Sequence, residues 1–233
     1  MSRLSWAGRI AALASLGDGT RRALFAFVAA ADAPVSRNDA AEALELPRST
    51  ASFHLDRMVH DGLLAVEFRK LGGREGPGSG RPAKLYRAAV QEVAASVPER
   101  NYDLAAELLV SAIEESAAGG VPARDALVRS ARARGQGAAG GVQGAAAFEQ
   151  LLTAEGYRPE DDGEGGLVLL NCPFHRIAAG HADVVCAMNG AFLGGAAEGC
   201  GIPPERVEAL AVEELRKSGA ARPGQCCARI RPQ

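Results

Sequence analysis

Cysteine is missing from the first 171 residues of this 233-residue chain, and all five cysteines, Cys172, Cys186, Cys200, Cys226 and Cys227, fall in the remainder. No two of them stand as C-x2-C, which excludes a zinc-ribbon knuckle and a ferredoxin-type run. No apolar run approaches the roughly 18 residues needed to cross a bilayer, so no membrane partner is expected. A phosphate-binding glycine motif, a paired acid/base constellation and a nucleophile elbow are also missing, and no enzymatic activity is expected. Net charge is only −2, but it is unevenly divided. Residues 1–87 carry 13 Lys/Arg against 9 Asp/Glu, or +4, and the rest carry 13 against 19, or −6. That asymmetry suits a front that faces DNA and a back that senses or dimerises.

The length suffices for two domains of roughly 90 to 140 residues, each with its own core. Arg3 and Arg9 ahead of the apolar stretch Ile10 to Leu16 superficially resemble a signal peptide. The stretch is short, however, and its periodicity runs on through Leu24, Phe25 and Val28. Helices opening a fold are expected instead, with a cytoplasmic address. In a reducing compartment, clustered cysteines bind metal or do redox chemistry more often than they form structural disulfides.

Ser36 is a plausible N-cap for a helix Arg37 to Leu44, and Pro47 breaks the chain before a second helix from Arg48 to Val59. There Ala51, Leu55, Met58 and Val59 share one face, at i, i+4, i+7 and i+8, while Arg48, Ser49, Ser52, His54 and Arg57 lie largely off it. One stripe packs and the other can meet DNA. Leu63 to Lys70 and Arg81 to Arg87 read as two short strands around a glycine-rich basic loop, a wing. Arg at the start of a recognition helix can pair with guanine, and short hydroxyls reach phosphates and base edges. The candidate DNA contacts are Arg48, Ser49, Thr50, Ser52, His54, Arg57, Arg81 and Lys84. His54 is read as a contact or surface residue and His60 as a helix-end residue, neither as a metal ligand.

This arrangement, down to the Gly-Arg-Pro-Ala-Lys-Leu-Tyr of the second wing strand, resembles the winged helix-turn-helix regulators of the ArsR and DeoR type over about residues 5 to 90. Beyond Pro98 a periodic segment, Tyr102 to Ala117, reads as a long helix with Leu104, Leu108, Val110, Ala112 and Ile113 as its apolar surface. Another helix should run from Ala123 to about Arg134, a Gly/Ala-rich segment follows from Gly135 to Gly144, and a helix lies around Ala145 to Glu155. Winged-helix regulators usually bind two half-sites as symmetric dimers, so one of these helices is expected to supply a homodimer interface; the alternative is that it packs the effector domain.

Gly156 to Pro159 and Gly166 to Leu170 read as a hairpin, whose second strand delivers Asn171-Cys172-Pro173-Phe174-His175. A helical run then carries His181, Cys186, Met188 and Phe192 toward Cys200, and Cys226-Cys227 begins a last strand. Met188 and Phe192 read as core, and His181 as a helix start. The spacing is C-x13-C-x13-C-x25-C-C, so any site is built from separate elements and exists only in the folded domain.

Asn171 to His175, a mid-helix Cys186 and the terminal Gly-x-Cys-Cys together resemble the effector domain of SufR-type iron–sulfur regulators over roughly residues 150 to 231. That resemblance implies an iron–sulfur cluster, four-iron or two-iron, ligated by Cys172, Cys186 and one of Cys226 and Cys227. A fourth ligand could come from Cys200, the other terminal cysteine or His175. Adjacent strand residues point to opposite faces, so Cys226 and Cys227 are not both expected to serve unless the strand bulges, and Cys226 is preferred.

The expected fold class is α+β. It comprises a winged helix-turn-helix domain over 1–90, a linker and dimerisation helices over 91–145, and a small cysteine-rich sensor domain over 146–233. The function expected is a dimeric regulator that binds a double-stranded DNA operator under control of a cluster. The alternatives are a sensor of zinc or another metal, or a bare thiol switch, using the same cysteines, and more remotely a small-ligand pocket or redox enzyme.

Overall fold

In the computed structural model, residues 4–69 and 82–232 are described. They fall into two compact units, Met1–Ala95 and Ser96–Gln233.

In the first unit, short polar side chains start the early helices. Ser5 Oγ accepts from Gly8 N to open α1 (Trp6–Ser15), and Asp18 accepts from Arg21 N to open α2 (Gly19–Ala30). A two-residue strand that the sequence pattern does not announce, β1 (Val35–Ser36), leads into α3 (Arg37–Ala43). Ser36 Oγ accepts from Asp39 N while the Asp39 carboxylate accepts from Ser36 N, a closed capping box. After α3, Glu45 takes a left-handed φ of 51° and turns the chain toward Pro47 and α4 (Arg48–His60). Then β2 (Leu64–Arg69) pairs antiparallel with β3 (Ala83–Ala88), and β3 with β1, in the order β1-β3-β2. The glycine-rich wing loop, with Lys70 and Arg81, lies outside the described residues. Ala51, Leu55 and Met58 of α4 are fully buried with Ala12, Leu24, Ala40 and Leu63, so the apolar stripe of α4 is the one that packs.

The second unit begins with α5 (Tyr102–Gly119), which ends at Gly120 in the left-handed conformation, φ 65°. On it Leu104, Ala105, Leu108 and Ala112 are buried, whereas Leu109, Val110 and Ile113 are exposed, so the apolar surface read from the sequence divides into a packed part and an open part. Next come α6 (Ala123–Ala138), α7 (Ala145–Ala154), β4 (Pro159–Asp161), β5 (Leu167–Leu169), α8 (His175–Ala178) and α9 (Ala182–Gly199). A 3-10 turn, β6 (Val207–Ala209), α10 (Val212–Lys217) and β7 (Ala228–Ile230) complete the unit. Its antiparallel sheet has the order β4-β5-β7-β6.

The expected end of α6 near Arg134 is wrong, and the reason is packing. The helix runs on through Gly135 and Gly137 to Ala138. A Cβ on Gly135 would overlap Phe192 O, one on Gly195 would overlap Arg132 O, and one on Gly199 would overlap Gln136 O. Glycine's roughly 1 kcal/mol helix penalty is thus offset by a backbone-to-backbone approach of α6 and α9 that no larger residue permits. The second unit thereby takes in α5 and α6 along with the elements after Gly144.

Candidate functional site

Two groups of side chains carry chemistry, one in each unit. In the first, the exposed face of α4 holds Arg48, Ser49, Phe53, Asp56, Arg57 and His60, opposite the buried stripe. Thr50, Ser52 and His54 are half-buried, and His54 Nδ1 is buried with no hydrogen-bond partner among the described residues, so His54 turns inward more than its sequence position implies. Arg57 bonds Asp61 through Nε at 3.1 Å and keeps 56% of its side chain exposed. Lys84 is tied to α4, its Nζ 2.5 Å from Asp56 Oδ1, and Tyr86 Oη donates to the same oxygen at 2.7 Å. Arg81 lies outside the described residues. Phe53, outside the contact set expected from the sequence, is 66% exposed in the middle of this face and packs edge-on with His54. An exposed phenylalanine flanked by basic and hydroxyl residues was the available signal.

In the second unit, Cys172 lies just after β5, Cys186 one turn inside α9, and Cys226 and Cys227 in the irregular segment before β7. Asn189, one turn beyond Cys186, directs Nδ2 at Cys226 Sγ (3.3 Å) and Cys227 Sγ (3.6 Å). Both terminal cysteines therefore meet the same group. The objection that neighbours on a strand diverge does not apply, because the strand begins only at Ala228.

The four thiols interact in sequence, Cys186 with Cys227, Cys227 with Cys226 and Cys226 with Cys172. Bonds from Cys186 and Cys226, aided by Asn189, outweigh burial and bring Cys227 down to about 3. The Cys226 bond likewise lowers Cys172, against the effect of burial. The donors move oppositely: Cys186 is raised by its bond to Cys227 and by burial, and Cys226 by its bonds to Cys172 and Cys227 and by burial. Lowered and raised groups alternate along the set, whose four donors are all soft sulfur.

Cys200 is not brought to this group. It caps the far end of α9, 14 residues past Cys186, which at 1.5 Å per residue is about 20 Å away. It is 1% exposed, and burial alone raises it. His175 opens α8 with an exposed side chain. Met188 and Phe192 are core, as their spacing implies. Among the described residues, no group of three or more His, Cys, Asp or Glu is placed to hold a metal ion.

The Cys172 segment is also tied to the first residues of its unit. Arg100 Nη1 donates to Asn171 Oδ1 and, at 2.9 Å, to Cys172 O. Asn171 Nδ2 donates to Glu99 O (2.8 Å) and Gly156 O (2.6 Å), and Asn101 N donates to Pro173 O (3.2 Å). Glu99 to Asn101 lie only a few residues beyond Ala95, where the first unit ends.

Residues 16–67 match a family model described as a helix-turn-helix domain. The N-terminal unit thus contains a helix-turn-helix DNA-binding domain, of the kind carried by DNA-binding transcriptional regulators. No curated protein and no solved structure matched the chain. Among the described residues, no helix is long and apolar enough to cross a membrane.

Proposed function

We propose that the chain is a homodimeric regulator whose affinity for a double-stranded DNA operator is set by an iron–sulfur cluster on Cys172, Cys186, Cys226 and Cys227. The observation that carries this reading is the gathering of four thiols from three separate segments into one group, in a chain that also carries a helix-turn-helix domain. The donor chemistry fits: all four are sulfur, and Asn189 offers an N–H to two of the sulfurs, a contact that tunes such centres. A four-iron cluster would take each thiolate on a different iron, so its ligands need not converge on one point as zinc ligands must. That difference favours a cluster over the single-ion alternative, because no set placed for one ion is found among the described residues. When bound, a cluster supplies a redox-active and oxidant-labile centre.

Coupling to DNA would run through Arg100 and Asn171, which fasten the backbone of Cys172 to the segment that follows the first unit. Movement of Cys172 on cluster loss would then reach the connection to the DNA-binding unit. The exposed strip Leu109, Val110 and Ile113 on α5 supplies an apolar surface for a second copy of the chain.

Contact between Cys186 and Cys227, and between Cys172 and Cys226, supports a second reading, a cofactor-free thiol switch. Anaerobic purification, followed by an absorption spectrum and quantified iron, acid-labile sulfide and zinc, separates the readings. Matched iron and sulfide in the wild type, lost in Cys172→Ser, are expected; a colourless protein after attempted reconstitution would leave the thiol switch. Full loading of Cys172→Ser would overturn the ligand assignment.

A further inference from the structure

An open pocket of about 570 Å³ lies between α9, β6 and the start of α10, and of the four grouped thiols only Cys186 and Cys227 line it. Cys172 and Cys226, 7% and 1% exposed, do not. Gly190 also lines the pocket, on α9 one turn past Cys186, and a Cβ there would meet nothing within 4 Å. The space beside the two thiols is kept open by the missing side chain. Leu210 and Val212 give it apolar wall. Its charged residues are Arg124 against Asp183, Glu213 and Glu214, and Glu213 is paired with Arg216. The balance is negative and disfavours an anionic occupant.

We propose that this pocket is a modification site where a small neutral or cationic organic disulfide reacts with Cys227, and where Cys186 resolves the adduct. Cys227 Sγ, having given its proton to water, attacks one sulfur of R–S–S–R; a new S–S bond forms between Cys227 Sγ and that sulfur, the original S–S bond breaks, and RS⁻ leaves and takes a proton from water. Cys186, having given its proton to water, then attacks Cys227 Sγ, and the second RS⁻ departs. The products are a Cys186–Cys227 disulfide and two small thiols, so the protein thiols lose two electrons and the entering disulfide gains them. Asn189, which donates to Cys227 Sγ at 3.6 Å, holds that sulfur beside the pocket. The reaction belongs to the chain with both thiols unligated, and it stands whether or not a cluster is the resident cofactor.

Metal-free protein is incubated anaerobically with cystamine, a cation, or with oxidised glutathione, an anion, and followed by intact mass and peptide mapping. The wild type should finish with the Cys186–Cys227 disulfide. Cys186→Ser should instead accumulate a single cysteamine adduct on Cys227, with Cys172, Cys200 and Cys226 unmodified. Cystamine should react faster than oxidised glutathione. In the series Gly190→Ala, Gly190→Leu and Gly190→Phe the rate should fall as the pocket fills, by about tenfold at Phe, since thiol reactivity follows access. If the Phe variant fails to fold, the Ala and Leu variants carry the comparison, with circular dichroism as the check on folding. Equal modification of Cys172 or Cys226, a rate indifferent to the residue at 190, or faster reaction with oxidised glutathione would overturn the proposal. Because the probes meet metal-free protein, failure of iron loading leaves the result intact.

Discussion

Tyr157 Oη donates to Asn189 Oδ1 at 2.5 Å, and this fixes the amide so that Asn189 Nδ2 faces Cys226 and Cys227. Both partners are buried, Tyr157 at 3% exposure and Asn189 at 1%, so neither can turn to water. Tyr157→Phe leaves the Asn189 carbonyl oxygen unsatisfied and should cost about 1–3 kcal/mol of stability in chemical denaturation. Asn189→Ala removes the N–H from the sulfurs and should raise the pH at which Cys227 loses its proton, read from thiolate ultraviolet absorbance in the Cys172→Ser, Cys226→Ser background. An unchanged titration would mean that Cys186 alone holds the charge on Cys227.

Phe53 stands 66% exposed in the middle of the outward face of α4. An aromatic ring there suits an apolar contact with a base edge such as the thymine methyl, and it carries no charge for phosphate. Phe53→Ala should weaken binding to a selected operator by about 1–3 kcal/mol without altering the slope of log affinity against log salt. Arg48→Ala, by contrast, should reduce that slope by about 1 if it meets phosphate. Fluorescence anisotropy across a salt series distinguishes them.

Close approach of α6 and α9 rests on glycines facing carbonyl oxygens, Gly135 on Phe192 and Gly195 on Arg132. Gly135→Ala and Gly195→Ala should each destabilise the second unit by about 1–3 kcal/mol or more, although alanine is the better helix former. Gly137→Ala, with open space around its Cβ, should be neutral or slightly stabilising. Thermal unfolding of the three variants measures the contrast.

Asp56 draws α4 and β3 together through Lys84 and Tyr86. Burial pushes its carboxyl up, but the bonds from Lys84 and Tyr86 win and leave it below its ordinary 3.8. Its stabilisation is therefore full above that value and lost as pH falls through the lower folded one. Lys84 is raised above 10.5, chiefly by the Asp56 bond, so its share is full below 10.5 and lost at still higher pH. With 40% and 48% of the two side chains exposed, the pair should contribute less than about 1 kcal/mol. Asp56→Asn should flatten the stability–pH curve of the first unit at its acid end, as followed by chemical denaturation.

The front unit was legible because its signals are local: Ser36 with Asp39 three residues on, Pro47 before Arg48, and an apolar stripe every third or fourth residue of α4. The back unit was legible only where the chain reports itself. Gly135 reads as the start of a Gly/Ala-rich break because its helical partner, α9, lies some 60 residues away. Cys226 and Cys227 were assigned to opposite strand faces because nothing in Gln225-Cys226-Cys227-Ala228 announces that the strand starts after them. The distance to Cys200, however, was available from the sequence: one helix cannot bring residues 14 positions apart to one small site. Arg100 and Asn189 gave no such signal, because an isolated Arg or Asn acquires its role only from distant partners.

The most direct test of the account is operator affinity on one anaerobic preparation, loaded and then stripped of iron and sulfide, in the wild type and in Arg100→Met. The two wild-type forms should differ by about tenfold or more, equivalent to about 1.4 kcal/mol. Arg100→Met should load the same iron and sulfide while that difference collapses, since its ties to Asn171 and Cys172 are gone. Equal affinity of the loaded and stripped wild type would contradict the claim that the sulfur group governs DNA binding.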